Sequence, residues 1–367
     1  MNDIKIKEWN LEQFKNSREE WNRLLDRSDS DPLFLSWEWQ YTWWEVFSRS
    51  ENMQLKIYAA YKQDTLVGIA PLYLTKAQSK KFIFTNRLQF IGNIWRGKAT
   101  MRTELLDFVT DKNLAEESNK ALISYISSQK DWNEIILTDL KTTSITYRII
   151  QDKKTLCKCF YRVAENFESY YVNTKTDFDS YVKSLGKNTR LRIYNRRKVL
   201  KETGSLKFSR SENSNIDKQF NLLNQFHIDR WKKPVFENDR LNFNKKVANL
   251  MAEKGALNFS TIYIDEKPIS LQYNYILKNH EYNIQAGIVE NYHKKLALGY
   301  LHFGYEIQHA CENGIHTYDF LAGGGKNEDY KSRLTGNAIK LVDLQVIRSK
   351  PIALIYKAYD TFCSKGN

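Results

Sequence analysis

The sequence is poor in several features that would assign it to a specialised class of protein. Its 367 residues include only 4 cysteines, and their irregular spacing does not predict a disulfide framework. No apolar run approaches the roughly 18 to 20 residues that cross a bilayer. The first residues also lack the basic and apolar regions of a secretory signal. We therefore expect a cytoplasmic protein with no transmembrane segment.

Acidic residues are outnumbered by basic ones. The chain carries 43 Asp and Glu against 56 Lys and Arg, which gives a formal net charge of +13. Its hydrophobic fraction of 42% is too high for a disordered chain, and its length predicts two domains. Because there are 5 prolines and no low-complexity segment, we expect no long linker between the domains. The basic surplus predicts an anionic partner, namely nucleic acid, a membrane surface or a phosphorylated metabolite.

Two similar β-hairpins indicate an internal repeat. A shift of 202 residues places the first hairpin on the second without a gap, so that Leu55 matches Leu257 and Tyr73 matches Tyr275. The alternative explanation is that hydrophobic residues alternate in the same way in all hairpins. In each half, however, the hairpin follows helices and precedes a strand, a helix and a further strand. That order favours duplication of one α/β domain.

The clearest chemical signal lies in residues 282–334. A strand leads into a polar loop, and the loop leads to Gly299, which opens a predicted helix. His293, Lys294 and Lys295 precede the free N–H groups at the start of that helix, an arrangement that favours a phosphate or pyrophosphate. The alternative is an ordinary connection with two solvated lysines.

A second basic signal lies in residues 187–201. This stretch contains seven Lys and Arg residues and no acid, and Arg190, Arg197 and Lys201 are predicted to share one helical face. Basic helices are commonly just solvated. The stretch could instead hold the phosphates of a nucleotide sugar, a lipid-linked acceptor or tRNA.

Two further patterns favour structural explanations. His302, His309 and His316 recur every seven residues without a His-Glu-x-x-His motif, so we expect no metal site. Aromatic residues crowd positions 37–47, where Trp39 and its neighbours could line a sugar-binding cleft, although such stripes usually form a core.

The order of these features resembles that of GNAT-fold acyltransferases. The likeness is to the cellulose-biosynthesis-like (CelD/BcsL-type) acetyltransferase branch, which is related to the Fem-type aminoacyltransferases with two GNAT-like domains. It rests on the hairpins and on a set of short segments: Ala286-Gly287, Tyr292 to Gly299, Glu312-Asn313-Gly314, Tyr318 to Leu321 with Gly323, Tyr330-Lys331, and the basic segment 183–204. Residues 295–299 depart from the glycine-rich pyrophosphate loop of GNAT enzymes, and Leu298 stands where this branch often has proline.

The resemblance implies a mixed α/β (α+β) fold with two tandem GNAT-like domains, each built on a mostly antiparallel sheet flanked by helices. The expected domains are residues 1–165 and 166–367, with the active site in the second. The implied activity is transfer of an acyl group from acetyl-CoA or another acyl-CoA to an amino group. The expected acceptor is a phosphate-bearing amine, such as an amino-sugar nucleotide or another cell-envelope or polysaccharide precursor, and no metal is expected.

The resemblance also suggests roles for particular residues. Asp319 is the candidate base or acceptor-orienting group, unless it stabilises the Gly323-Gly324-Gly325 turn, and Lys331 and Tyr330 are the other catalytic candidates. The expected cofactor-binding residues are Gln285, Ala286, Gly287, Ile288, Lys294, Lys295, Leu298, Gly299 and Tyr300. The expected substrate-binding residues are Trp39, Arg190, Arg192, Arg197 and Gln272.

Two other functions stay open at this point. One is a Fem-type enzyme that transfers an amino acid from aminoacyl-tRNA to a peptidoglycan precursor, although the sequence lacks the heptads of the coiled-coil insertion common in such proteins. The other is a degenerate GNAT pair that binds anionic envelope intermediates without catalysis.

Overall fold

The fold is described by a computed structural model over residues 4–50, 52–79, 83–98, 100–152, 159–211, 215–322 and 329–363. The strands, in chain order, are β1 (Ile4–Trp9), β2 (Met53–Lys62), β3 (Thr65–Ser79), β4 (Ile83–Phe90), β5 (Val109–Thr110), β6 (Glu134–Lys141), β7 (Phe160–Asn173), β8 (Leu206–Ser211), β9 (Leu257–Ile264), β10 (Lys267–Leu277), β11 (His280–Ile288), β12 (Thr317–Asp319) and β13 (Ala338–Ile347).

The helices begin at points that the sequence marks with polar caps in several cases, such as Asn10 and Ser36. In chain order they are α1 (Leu11–Asn16), α2 (Arg18–Asp26), α3 (Trp37–Phe47), α4 (Ala115–Ser128), α5 (Ile145–Gln151), α6 (Phe178–Ser184), α7 (Lys187–Arg190), α8 (Arg197–Glu202), α9 (Ile216–Trp231), α10 (Asn238–Ala252), α11 (Leu298–Glu312), α12 (Asp329–Ser332) and α13 (Lys350–Cys363). A π-helical segment, Leu191–Asn195, separates α7 from α8. In the part of the chain described, no helix is long and apolar enough to cross a membrane.

The chain divides into two compact units. The first comprises Met1–Phe167 and Lys340–Asn367, and the second comprises Glu168–Ile339. The expected division at residue 165 differs from this one at the C-terminus, because the expected second domain ran to residue 367. The last segment belongs to the first unit because β13 pairs with β6, for example through Leu344 and Leu137.

The two units share one sheet topology. In the first, the strand order is β1-β2-β3-β4-β6-β13, and in the second it is β8-β9-β10-β11-β12-β7. Neighbouring strands are antiparallel except β4 with β6 and β11 with β12, which are parallel. These mixed, mostly antiparallel sheets with flanking helices confirm the predicted fold class.

The repeated hairpins agree even in their register. Leu55 pairs with Tyr73 in the first, and Leu257 pairs with Tyr275 in the second, as the 202-residue shift requires. Each hairpin also has a register shift at the same place, where two consecutive residues of its first strand face residues two apart in its second strand. In the first hairpin the consecutive residues are Ala60 and Tyr61, and in the second hairpin the residues two apart are Pro268 and Ser270. Since bulges are specific local features, this agreement supports duplication beyond shared alternation.

Helix α11 lies close to the π-helical segment within the second unit. A Cβ atom added to Gly304 would come within 2.3 Å of the carbonyl oxygen of Ile193, so glycine permits this approach. Ile193 itself is fully buried in a cluster with Phe303 and Ile307. The packing brings the basic segment beside α11 and fixes the wall of the site described next.

Candidate active site

Strands β11 and β12 pair over a short length and leave the rest of β11 open on one side. The parallel pairing covers only His280, Glu281 and Tyr282. β11 then continues to Ile288, paired on its other side with β10. Its register shifts where Asn283 and Gln285 face consecutive β10 residues, so Ile284 is the extra residue of a bulge. Among the described residues, 283–288 therefore have no strand partner on the β12 side.

On the open edge, two side chains form hydrogen bonds with the backbone groups of Ala286. Its N–H donates to the side chain of Gln285 at 2.9 Å, and its carbonyl accepts from Nε2 of His227 on α9 at 3.0 Å. Burial lowers the pKa of His227, and its neutral ring makes this contact when the proton is on Nε2. Backbone groups satisfied by side chains rather than by a strand can exchange those partners for a ligand.

Gly287 fixes how closely α9 packs on this edge. A Cβ atom at Gly287 would lie 2.9 Å from the ring of Phe226, and Leu223 is also in contact range. The predicted cofactor residues Gln285, Ala286 and Gly287 therefore do lie together on the open edge.

The N-terminus of α11 has the properties expected of a phosphate site. Its N-cap, Ala297, provides no side-chain hydrogen bond, and its first turn contains no acid. Lys294 and Lys295 are exposed just before it. A Cβ atom on Gly299 would meet nothing within 4 Å, so the space beside this residue of the first turn is open. These free N–H groups and two lysines would favour a diphosphate.

The equivalent positions of the first unit lack these properties. β4 extends only one residue past Gln89, the last residue paired with β6, so the described part of this strand has no comparable open edge. The first turn of α4 contains Glu116 and Glu117, which would repel an anion at that helix start. The comparison favours the second unit as the site of acyl-CoA binding.

Asp319, the predicted base, lies at the end of β12 and is fully buried. Its Oδ1 accepts from the backbone N–H of Leu321 at 2.7 Å, and its Oδ2 lies 3.1 Å from Nε2 of His280. Ser169 adds a longer contact of 3.3 Å. The contact with Leu321 is of the turn-stabilising kind considered as the alternative, although Gly323-Gly324-Gly325 themselves lie outside the described residues.

Lys331 and Tyr330 are also built into the structure. Nζ of Lys331 donates to the carbonyls of Leu321 at 2.6 Å and Ala322 at 3.0 Å. The Tyr330 ring stacks on Phe303, and burial raises the pKa of its phenol to about 12. Lys331 and Asp319 therefore both hold the short stretch of backbone that follows β12.

A basic cavity of about 740 Å³ lies beside the second half of α11. Its walls come from the basic segment, β8 and α11, and its lining is Tyr194, Asn195, Arg197, Lys198, Lys201, Phe208, Arg210, Tyr305, Gln308, His309 and Glu312. Five of these side chains are cations or histidine and one is an acid. Cations combined with aromatic rings suit an anionic ligand that also carries a planar or sugar moiety.

Arg197 packs its guanidinium against an aromatic ring in the wall of this cavity. Its guanidinium lies 3.9 Å from the ring centre of Tyr305, and Nη1 donates to Gln308 at 2.5 Å. Its Nε and Nη2 atoms and the hydroxyl of Tyr305 are buried without hydrogen-bond partners among the described residues. Burial lowers the pKa of Arg197, but a guanidinium stays charged, so an anion would be stabilised here.

The other predicted substrate residues lie elsewhere. Arg190 donates to the carbonyl of Leu185 at 2.9 Å and closes the end of α6. The π-helical segment lies between Arg190 and Arg197, so the predicted shared face is broken. Arg192 lies over the ring of Tyr300, near the start of α11. Trp39 is fully buried in the first unit and donates to Thr103, so the aromatic stripe forms a core rather than an open cleft.

Gln272 belongs to a buried polar layer between the second unit's sheet and α11. Its Oε1 accepts from the hydroxyl of Tyr318 at 2.6 Å and from Asn283 at 3.2 Å, while its Nε2 has no described partner. Sequence reasoning missed most of this layer, whose members are Asn258, Ser260, Ser270, Asn274, Glu281, Asn283, His302, Glu306 and His309. The available signal was the alternation of polar residues along three otherwise apolar strands, facing a polar stripe on α11.

Two carboxylates lie at the centre of this layer. Glu306 accepts from Arg210 at 2.7 Å and from Ser260 at 2.7 Å through Oε1. Glu281 accepts from Asn258 and Asn274 at 2.9 and 2.8 Å, also through Oε1. Burial, together with the neighbouring Glu306, raises the pKa of Glu281 to about 8. The second oxygen of each carboxylate has no described hydrogen-bond partner.

Comparison with known families agrees with this geometry. Residues 187–332, somewhat less than half of the chain, match the model of a family described as an acetyltransferase (GNAT) domain. These residues form a GNAT acetyltransferase domain. It contains β11, α11 and the basic cavity, and it supports the predicted acyl-CoA-dependent acyltransferase. A search of curated proteins found no match.

The folds of several solved structures extend the likeness over nearly the whole chain. FemX is 12% identical with a TM-score of 0.62, and the match covers 95% of this chain and 99% of that one. A conserved protein of unknown function from Bacteroides thetaiotaomicron is 10% identical with a TM-score of 0.56, covering 94% and 99%. The C-terminal domain of a protein assigned as a lysylphosphatidylglycerol synthetase, from Agrobacterium fabrum, is 8% identical with a TM-score of 0.52, covering 95% and 96%. At these identities the likeness concerns the fold alone.

Proposed function

We propose that the protein is an N-acyltransferase that uses acetyl-CoA or another acyl-CoA and that its second unit is the working one. The acyl group would pass to the amino group of a phosphate-bearing acceptor, such as an amino-sugar nucleotide or another cell-envelope precursor. The observation that carries the proposal is the open edge of β11 beside the uncapped start of α11. The matched family supports the donor class.

The open edge of β11 and the start of α11 would bind different parts of the acyl-CoA donor. Backbone groups near Ala286 would bind the amide-bearing arm of the cofactor once Gln285 and His227 release them. The N–H groups at Gly299 would face its diphosphate. This division requires no covalent intermediate, because the thioester is held where an amine can reach its carbonyl carbon.

The reaction itself balances as a simple transfer. The acceptor nitrogen bonds to the thioester carbonyl carbon, the carbon–sulfur bond breaks, CoA leaves as its thiol, and the nitrogen gives up a proton to solvent. We assign Asp319 and Lys331 a positioning role, since both hold the backbone at Leu321. Tyr330 would support the same region through its stacking on Phe303.

The basic cavity would hold the acceptor's phosphate. Arg197, Lys198, Lys201 and Arg210 supply positive charge there, and Tyr305 supplies an aromatic face. Part of the +13 surplus would thus serve a discrete phosphate group rather than a long nucleic-acid track.

The test is a transfer assay that follows release of free CoA thiol. Acceptors are offered in pairs that differ only in a phosphate group, for example an amino sugar and its 1-phosphate. We expect thiol release with the phosphorylated member at a KM at least about tenfold lower. No binding of CoA at millimolar concentration would refute the donor assignment.

The fold likeness to FemX makes a second donor worth a direct comparison. In a parallel assay, aminoacyl-tRNA replaces acyl-CoA, with a peptidoglycan precursor as the acceptor. Transfer from tRNA, with a steep dependence of binding on salt, would show that aminoacyl-tRNA rather than acyl-CoA is the donor. We expect no such transfer.

The cytoplasmic location stays a prediction.

A further inference from the structure

The buried layer under α11 brings together three side chains that can bind metal, and each of them has one unpartnered atom. These atoms are Oε2 of Glu281, Oε2 of Glu306 and Nδ1 of His309, and each is buried with no hydrogen-bond partner among the described residues. A ligand atom of each residue lies within 4.8 Å of those of the other two. Buried polar atoms without partners are rare and costly, so three on neighbouring side chains call for a ligand.

The remaining oxygen of each carboxylate is already held. Oε1 of Glu281 is fixed by two amide groups, those of Asn258 and Asn274. Oε1 of Glu306 is fixed by Arg210 and Ser260. Metal sites are commonly built in this way, with one atom of a side chain oriented by hydrogen bonds so that another can bind the ion.

Neighbouring side chains do not reach the free oxygens with a hydrogen bond. Arg210 reaches Oε1 of Glu306 and not the unpartnered atoms. His302 cannot turn to them, since Nδ1 lies 2.6 Å from the hydroxyl of Ser270 and Nε2 lies 3.0 Å from that of Ser260. Glu306 is therefore paired with Arg210 through Oε1 only, and the second oxygen of each glutamate has no hydrogen-bond partner among the described residues.

The sequence spacing fits as well. Glu306 and His309 form a Glu-x-x-His pair on one face of α11, a spacing used in helical metal sites. Glu281 comes from β11, so no motif in the chain announces the third ligand. This is why the pattern of histidines alone predicted no metal site.

We propose that Glu281, Glu306 and His309 bind a divalent transition-metal ion in the wall of the basic cavity. Two carboxylate oxygens and one imidazole nitrogen favour Zn²⁺ or Mn²⁺ over Mg²⁺ and Ca²⁺, which prefer oxygen alone. With metal–ligand bonds near 2.1 Å, ligand atoms lie roughly 3 to 4 Å apart, so a small inward rotation of the side chains completes the site.

The ion would bear directly on the cavity. His309 and Arg210 both line it, so the fourth coordination position would face the space where an anionic ligand is expected. The metal would then add positive charge at that wall. This inference concerns metal binding itself and stands whether or not the proposed acceptor is correct.

The test is calorimetric titration of chelator-treated, full-length protein with Zn²⁺, Mn²⁺, Mg²⁺ and Ca²⁺ chlorides, combined with metal analysis of the protein as purified. We expect one Zn²⁺ or Mn²⁺ per chain and at least about 100-fold weaker binding in Glu281→Gln and His309→Ala. The matched controls are Glu312→Gln, an acid of the same cavity, and His316→Ala, the exposed histidine one heptad on. Both should bind as the unaltered protein does.

A second readout keeps the inference testable if a variant folds poorly. Zn²⁺ should raise the thermal midpoint of the unaltered protein and of Glu312→Gln, and a chelator should reverse the rise. If no ion binds stoichiometrically, the two carboxyls share a proton instead and the inference is refuted. Equal metal binding by Glu281→Gln and the unaltered protein would refute it as well.

Discussion

Replacing Gly299 with glutamate should separate the stability of α11 from its capacity to bind CoA. Gly299 lies in the first turn of α11, and a Cβ atom there would meet nothing within 4 Å. Replacing a helical glycine removes a cost of up to about 1 kcal/mol, and an acid near a helix N-terminus adds roughly 0.5 kcal/mol more. The variant should therefore unfold at a higher temperature than the unaltered protein.

The same substitution should weaken binding of the cofactor. A carboxylate about 4 Å from a bound diphosphate costs between about 1 and 4 kcal/mol, depending on the local dielectric. At the exposed start of α11 we expect about 1.4 to 2.8 kcal/mol, which is roughly a 10- to 100-fold rise in the Kd for CoA.

Gly299→Ala is the matched control, because it adds the same Cβ atom without the charge. It should gain the part of the stability that comes from removing glycine and bind CoA within about threefold of the unaltered protein. The assay is calorimetric titration at low salt, repeated at high salt, where the difference should shrink. If Gly299→Glu binds CoA as tightly as Gly299→Ala does, the diphosphate does not lie at this helix start.

Three further predictions test other parts of the structure. Gly287→Val should destabilise the protein by about 1 to 3 kcal/mol in denaturant unfolding, since its side chain would collide with Phe226; an unchanged midpoint would contradict this packing. Arg197→Gln should raise the KM for a phosphorylated acceptor about tenfold with little change in kcat. The control is Lys207→Gln, which should change neither value because Lys207 lies on β8 but does not line the cavity. A loss confined to kcat in Arg197→Gln would contradict a binding role. Asp343→Asn should flatten the pH dependence of the free energy of unfolding. Burial raises the pKa of Asp343 from 3.8 to about 6, so the folded state binds a proton that the unfolded state releases between these pH values. The stability of the unaltered protein should therefore fall as pH rises from 3.8 to about 6, by up to about 3 kcal/mol. An identical pH profile for the variant would contradict the raised pKa.

Local patterns in the sequence were enough to predict the elements that position the site. Alternation identified both hairpins, and the repeat between them reflects the same register and the same bulge in the structure. Gly299 and the two lysines before it indicated the start of α11 to within one residue. These features depend on neighbours in sequence, which is why sequence reasoning reached them.

Features that depend on distant pairing were not predicted. The C-terminal segment belongs to the first unit because β13 pairs with β6, about 200 residues away in sequence. A π-helical segment separates Arg190 from Arg197, although both fit one straight helix on paper. β1 also escaped notice, since only Trp9 of its side chains is buried and the strand leaves a weak hydrophobic pattern.

The predicted site residues show the same difference between features that depend on sequence neighbours and features that depend on distant pairing. Gln285 to Gly287, Gly299 and Arg197 lie on the open edge, at the start of α11 and in the basic cavity, and each is marked in the sequence by a local feature such as a strand end, a helix start or a charge run. Asp319 and Lys331 were predicted as catalytic groups from the family resemblance, and the structure shows both holding backbone. Glu281 and Glu306 come from a strand and a helix that only the fold brings together.

The central claim is that acyl-CoA binds along the open edge of β11 and at the start of α11. Hydrogen–deuterium exchange, measured with and without acetyl-CoA, tests it directly, because backbone groups that bind a ligand become protected. The claim predicts protection in peptides covering residues 283–301 and unchanged exchange in residues 83–90 and 115–128 of the first unit. Protection confined to the first unit, with residues 283–301 unaffected at saturating acetyl-CoA, would contradict it.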